Sequence, residues 1–148
     1  IVSEENLQRQ RGASYLVGTP RAQLKAYERR LLEGNWQSVS GEVEVQLIAE
    51  DNKETYVLAR SRARAQKESA MRSRVVRGLM GDLIGLRRLL RHGRLKDPDK
   101  VLLHLGRLKE RYQQAWRYLK ISIEHLRLHW RWDREALRLA ASRDGAYL

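Results

Sequence analysis

Four histidines and a scattering of carboxylates are the side chains with which this chain could hold a metal or move a proton. His125 and His129 stand four apart in a segment that alternates like a strand, which places them on one face, with His104 available from a neighbouring helix. No acidic cluster accompanies them at ligand spacing, so no metal site is expected. Glu4 and Glu5 read as helix-start charges, Asp133 as a helix cap and Asp144 as a turn residue, so no carboxylates converge as two-metal phosphoryl chemistry requires. The chain has no cysteine, which excludes thiolate nucleophiles, disulfides and zinc ribbons. It also lacks a glycine-rich phosphate loop, a nucleophile elbow and a dinucleotide fingerprint. The reactive groups that remain are guanidinium groups. Residues 60–96 carry twelve lysines and arginines against only Glu68 and Asp82. An arginine fork binds phosphate oxygens in pairs, so Arg60, Arg62, Arg64, Lys67, Arg72, Arg74 and Arg77 form the expected phosphate-contacting set. The plainer alternative is a solvated helix face, with Arg60, Arg62 and Arg64 keeping a strand edge soluble.

Composition favours the same partner class. The formal charge is +12 over 148 residues and the pI is near 10.6, which suits a polyanion, nucleic acid ahead of an anionic membrane. No apolar run approaches the roughly 20 residues that cross a bilayer, so the expected location is cytoplasmic and nucleoid-associated, with no membrane and no small-molecule substrate. Trp36, Trp116, Trp130 and Trp132 could stack on unpaired bases, but a core role is preferred because Trp130 and Trp132 share a strand face with Leu126 and Leu128.

The elements that must position these groups follow from periodicity. Residues 3–11 read as a short helix capped by Ser3, and Tyr15–Val17 as a short buried strand. Gly18-Thr19-Pro20 then opens a helix carrying Leu24, Tyr27, Leu31 and Leu32 up to Gly34. From Gly41 the period becomes two, with Val43, Val45 and Leu47 expected on the buried face and Glu42, Glu44 and Gln46 on the other. Residues 55–59 should pair with this strand as a hairpin across the polar turn 50–53. A long helical section breaks at His92-Gly93-Arg94. Its first arm offers Met71, Val75, Leu79, Leu83, Leu86 and Leu90 to a seam of Val101, Leu105, Leu108, Tyr112, Ala115 and Leu119 on a second arm opened by Asp97 and Pro98. Gly78, Gly81 and Gly85 weaken the first arm or permit close packing there. A strand over 121–132 is expected to join the earlier sheet, followed by a helix over 133–142 and the opening of a strand at 146–148.

The run Tyr15-Leu16-Val17-Gly18-Thr19-Pro20-Arg21, preceded by Ser3-Glu4-Glu5-Asn6-Leu7 and followed at the far end by Asp144-Gly145-Ala146-Tyr147-Leu148, resembles the catalytic domain of DDE-type transposases of bacterial insertion sequences, in the insertion-sequence-four-like branch. The resemblance covers nearly the whole chain and implies an α+β fold: a fragment of a ribonuclease H-like domain with an inserted antiparallel β-sheet and a long antiparallel helical hairpin. It assigns residues 1–34 to the core and 35–148 to the insert. The family's second catalytic aspartate precedes the segment matching Ile1–Leu7, and its catalytic glutamate follows the segment matching Asp144–Leu148. The resemblance therefore implies DNA transposition and recombination, with magnesium, for a complete family protein, and for this chain a DNA-binding scaffold without the catalytic acids or a cofactor of its own. Transposon-end DNA is the implied partner. The alternative is a non-catalytic basic module that binds RNA or a protein partner through its helical hairpin, or forms a homodimer by pairing the Val101–Leu119 seam between chains.

Overall fold

The computed structural model describes residues 16–49 and 55–148. The helix read over 3–11, Tyr15 and the turn at 50–53 lie outside the described residues. Leu16 and Val17 form no strand, and Leu16 is 87% exposed, which corrects the buried strand expected there. The chain instead meets the C-terminus at one point, where the Thr19 amide and hydroxyl both donate to the Leu148 carbonyl at 3.0 Å.

A 3-10 turn over Arg21–Tyr27 leads into helix α1 (Glu28–Glu33). Strands β1 (Gln37–Ser40), β2 (Val43–Ala49) and β3 (Thr55–Ser61) form an antiparallel meander, and the terminal β6 (Ala146–Tyr147) adds to β3, giving the order β1-β2-β3-β6. The expected hairpin is present, with Val45 opposite Ala59 and Leu47 opposite Val57. The faces are reversed from expectation. Leu47 is 67% exposed and Val43 38%, whereas Ile48 and Leu58 are 1% and 0% exposed and pack with Leu24, Leu31 and Ala146. Register explains the inversion. Ile48, Gln46 and Glu44 lie opposite Tyr56, Leu58 and Arg60, so the covered face gathers Ile48, Tyr56 and Leu58, and the buried carboxylate of Glu44 is neutralised there by arginines. The open face carries Val43, Val45, Leu47, Val57, Ala59 and Tyr147, with no charged strand residue among the described residues. Ile48→Ala should therefore cost about 2–4 kcal/mol in denaturant unfolding, while the neighbouring Leu47→Ala stays within about 0.5 kcal/mol.

Ser61 caps the 30-residue helix α2 (Arg62–Arg91), its hydroxyl accepting from the Arg64 amide. After the left-handed Gly93 (φ 62), Asp97 caps α3 (Pro98–Arg111) by accepting from the Asp99 amide, with Pro98 in the first turn as expected. The arms pack antiparallel: Leu79, Leu83, Leu86 and Leu90 share a core with Val101, Leu105, Ala115 and Leu119, and the far end of the pair joins Asp82 to Arg111 and Tyr112. Two details differ from expectation. Met71 is 58% exposed, outside the seam, and the second arm breaks at Tyr112, so that Ala115 sits in a short helix α4 (Gln113–Trp116) and Leu119 opens a strand. Gly78 faces the Tyr112 ring, where a Cβ would lie 3.0 Å from Cε1; Gly81 and Gly85 face open space.

The segment 121–132 is two strands, not one. β4 (Leu119–Glu124) and β5 (Arg127–Trp132) form a separate two-stranded ribbon closed by His125 and Leu126, both at positive φ, so the expected continuation of the first sheet is absent. Consecutive left-handed residues suit a two-residue hairpin turn that matches strand twist. Asp133 then caps α5 (Arg134–Ser142), accepting from the Ala136 amide. Among the described residues no helix is long and apolar enough to cross a membrane.

Candidate nucleic-acid interface

Carboxylates sort the arginines into two populations. Glu44, on the covered face of β2, accepts from Arg60 at 2.7 Å and from Arg62 at 2.6 Å. Arg62 and then Arg60 hold its carboxyl below the usual range. Arg60 also lies over the Trp36 ring at 4.3 Å. Glu68 takes both prongs of Arg21, at 2.8 and 2.5 Å, together with Arg64 at 3.0 Å and the Gly145 amide at 2.9 Å. Asp144, 8% exposed, pairs with Arg72, and Glu28 on α1 lies 3.0 Å from Arg143 at the end of α5. These contacts join the 3-10 turn, α1, α2 and the β6 approach at one junction. Four of the seven arginines and lysines expected to meet phosphate, Arg60, Arg62, Arg64 and Arg72, are thus engaged within the fold.

The junction has a pH signature. The Arg21 guanidinium, helped by the Gly145 amide and Arg64, holds Glu68 from its ordinary 4.5 down to about 2. Its folded value is depressed, so its contribution is complete above about pH 4.5 and is lost as pH falls towards 2. With Arg21 and Arg64 half exposed, solvent screening reduces the effect to about 1–2 kcal/mol. Urea midpoints measured between neutral pH and pH ~2.5 should fall more steeply for the native chain than for Glu68→Gln.

The second population faces outward. Lys67, Arg74 and Arg77 are exposed and make no ion pair among the described residues, and helical spacing continues their face to Arg88 and Arg91, also exposed and without an ion pair among those residues. Among the described residues Arg77 makes only a contact to its own helix, at the Ser73 carbonyl. From Lys67 to Arg91 the face is about 36 Å long at 1.5 Å per residue. Between the cations it presents Ala70, Ser73, Gly81 and Ile84. Glu68 and Asp82, the acidic residues of α2, lie off this face and are consumed by Arg21, Arg64, Tyr112 and Arg111. Sequence reading stopped this surface at Arg77. The seven-residue step from Lys67 to Arg74, repeated from Gly81 to Arg88, is the signal that would have extended it.

The tryptophans take the core role expected of them: all four are half-buried, Trp116, Trp130 and Trp132 packing against the helical core and Trp36 against the sheet core. The Trp132 indole N–H donates to the Met80 sulfur at 3.2 Å. His125 sits in the ribbon turn and His129 on β5, so the shared strand face expected for them does not form, and no group of three metal-ligating side chains occurs among the described residues. Comparison with protein-family models, with curated proteins and with solved structures returns no match.

Proposed function

We propose that this chain binds the sugar–phosphate backbone of duplex DNA through the outward face of α2, and that it does so as a segment of an insertion-sequence transposase, holding transposon-end DNA rather than cutting it. The observation that carries the DNA reading is the separation of charge on one helix: every acid of α2 is paired off the face, leaving Lys67, Arg74, Arg77, Arg88 and Arg91 as an uncompensated row. Its length is close to one turn of B-form DNA, roughly 34–36 Å. The small residues between the cations leave room for a close approach to the backbone. Contacts of this kind give affinity with little sequence information, because phosphates repeat regardless of base. The transposase assignment rests on the motif resemblance at both ends of the chain. Pairing between chains through the Val101–Leu119 seam is disfavoured, because Val101 and Leu105 are 1% and 9% exposed within the single chain.

The test is fluorescence anisotropy on a labelled duplex across a salt series. Five phosphate contacts predict that log K falls against log salt with a slope of about −4.5. Undetectable binding, or affinity insensitive to salt, would sink the proposal.

A further inference from the structure

The β4–β5 ribbon has two unlike faces. Leu119, Ile121, Ile123, Leu128, Trp130 and Trp132 line the inner one and pack into the helical core. The outer face consists of three cross-strand pairs: Lys120 with Arg131, Ser122 with His129, and Glu124 with Arg127. All six side chains are exposed, and none makes an ion pair or a side-chain hydrogen bond among the described residues. This contrasts with the junction, where the arginines are claimed by carboxylates. The Arg87 guanidinium, 4.5 Å from the centre of the Trp130 ring, places the ribbon beside the C-terminal half of α2.

We infer that the ribbon enters the major groove of duplex DNA with its outer face towards the base edges. The inference rests on the DNA-binding reading of α2 and adds sequence readout to it. Size permits the fit: two strands about 5 Å apart, with their side chains, match a groove about 12 Å wide. Three alternate positions per strand extend about 13–14 Å, the rise of roughly four base pairs. The chemistry of the face favours bases over phosphates. A surface built only for phosphate has no use for an acid, and an unpaired Glu124 there would be repelled. In the groove Glu124 can accept from a cytosine amine, Arg127 and Arg131 can each fork onto a guanine, and Ser122 and His129 can donate or accept. The two-residue turn keeps the ribbon's leading end narrow.

The test starts with selection of duplexes from a randomised pool by the full chain, followed by affinity measurements on an enriched and a scrambled duplex. The native chain should prefer the enriched duplex by at least about 10-fold, and methylation of guanine N7 in the major groove should remove that preference. The charge-preserving double variant Arg127→Lys with Arg131→Lys should reduce the preference to about 2-fold while leaving scrambled-duplex affinity unchanged, because the charge stays and the forks go. Reversing charge on α2 should weaken both duplexes alike and keep the ratio. A native chain without preference, or a preference that survives the double variant or the methylation, overturns the ribbon's role and leaves the α2 reading standing. Absence of any duplex binding overturns the α2 reading and the ribbon's role with it.

Discussion

Gly145→Ala will destabilise this fold by about 3–5 kcal/mol, a large part of the stability of a domain this size. Gly145 adopts φ 66, where an L side chain meets its own backbone, at a cost of roughly 1–2 kcal/mol. A Cβ at this position would also collide with the Ser61 carbonyl oxygen and lie 2.7 Å from the Ala65 amide nitrogen, both backbone atoms that cannot rotate away. Two hydrogen bonds would be strained as well: the Gly145 carbonyl accepts from the Ser61 amide at 2.9 Å, and its amide donates to Glu68 at 2.9 Å. Glycine here lets β6 reach β3 while its amide completes the Glu68 cluster. The contrast within one protein is Gly85→Ala, which faces open space in the interior of α2 and should stabilise by up to about 1 kcal/mol. Urea unfolding of the two variants checks both signs. A loss under about 1 kcal/mol for Gly145→Ala would mean that the β6 junction is not formed as described.

Reversing charge at Arg74, Arg77 and Arg88 together should lower affinity for duplex DNA by at least about 100-fold near 0.1 M salt and reduce the salt slope by about 3. All three side chains are exposed and none pairs with a carboxylate among the described residues, so the fold should tolerate the change. Reversal at Arg29 and Arg30 on α1 changes net charge by about two thirds as much without touching the face, and should cost less than about 10-fold. Equal losses from both sets would show that DNA responds to net charge alone. The same comparison cannot be made at Arg60, Arg62 or Arg72, because reversal there would leave Glu44 or Asp144 facing a like charge in a half-buried site.

The elements were legible wherever local chemistry decides them. Asp97 with Pro98 opens α3, Asp133 opens α5, and the break at His92–Arg94 separates the two arms, because caps and breakers act within a few residues. Pairing was less legible. Alternation in β2 alone favours Val43, Val45 and Leu47 as the buried face. Only the register that sets Ile48 against Tyr56 and Gln46 against Leu58 turns the opposite face towards Leu24 and Leu31. The ribbon was read as one strand because His125 and Leu126, both at positive φ, are not customary turn residues. The proposed interface was half visible. Counting charge located the basic stretch, but which arginines are spent internally depends on Glu44, Glu68 and Asp144, which lie 16 to 72 residues from some of their arginine partners.

Side-chain NMR observes directly which arginines meet DNA in the proposed complex. Titrating the isotope-labelled chain with a short duplex and following the arginine Nε–Hε signals should shift Arg74, Arg77, Arg88 and Arg91 while Arg60, Arg62 and Arg72 hold position against their carboxylates. Shifts confined to the carboxylate-held group, or no arginine shift at all on adding duplex, would contradict the proposal that the outward face of α2 is the DNA-binding surface.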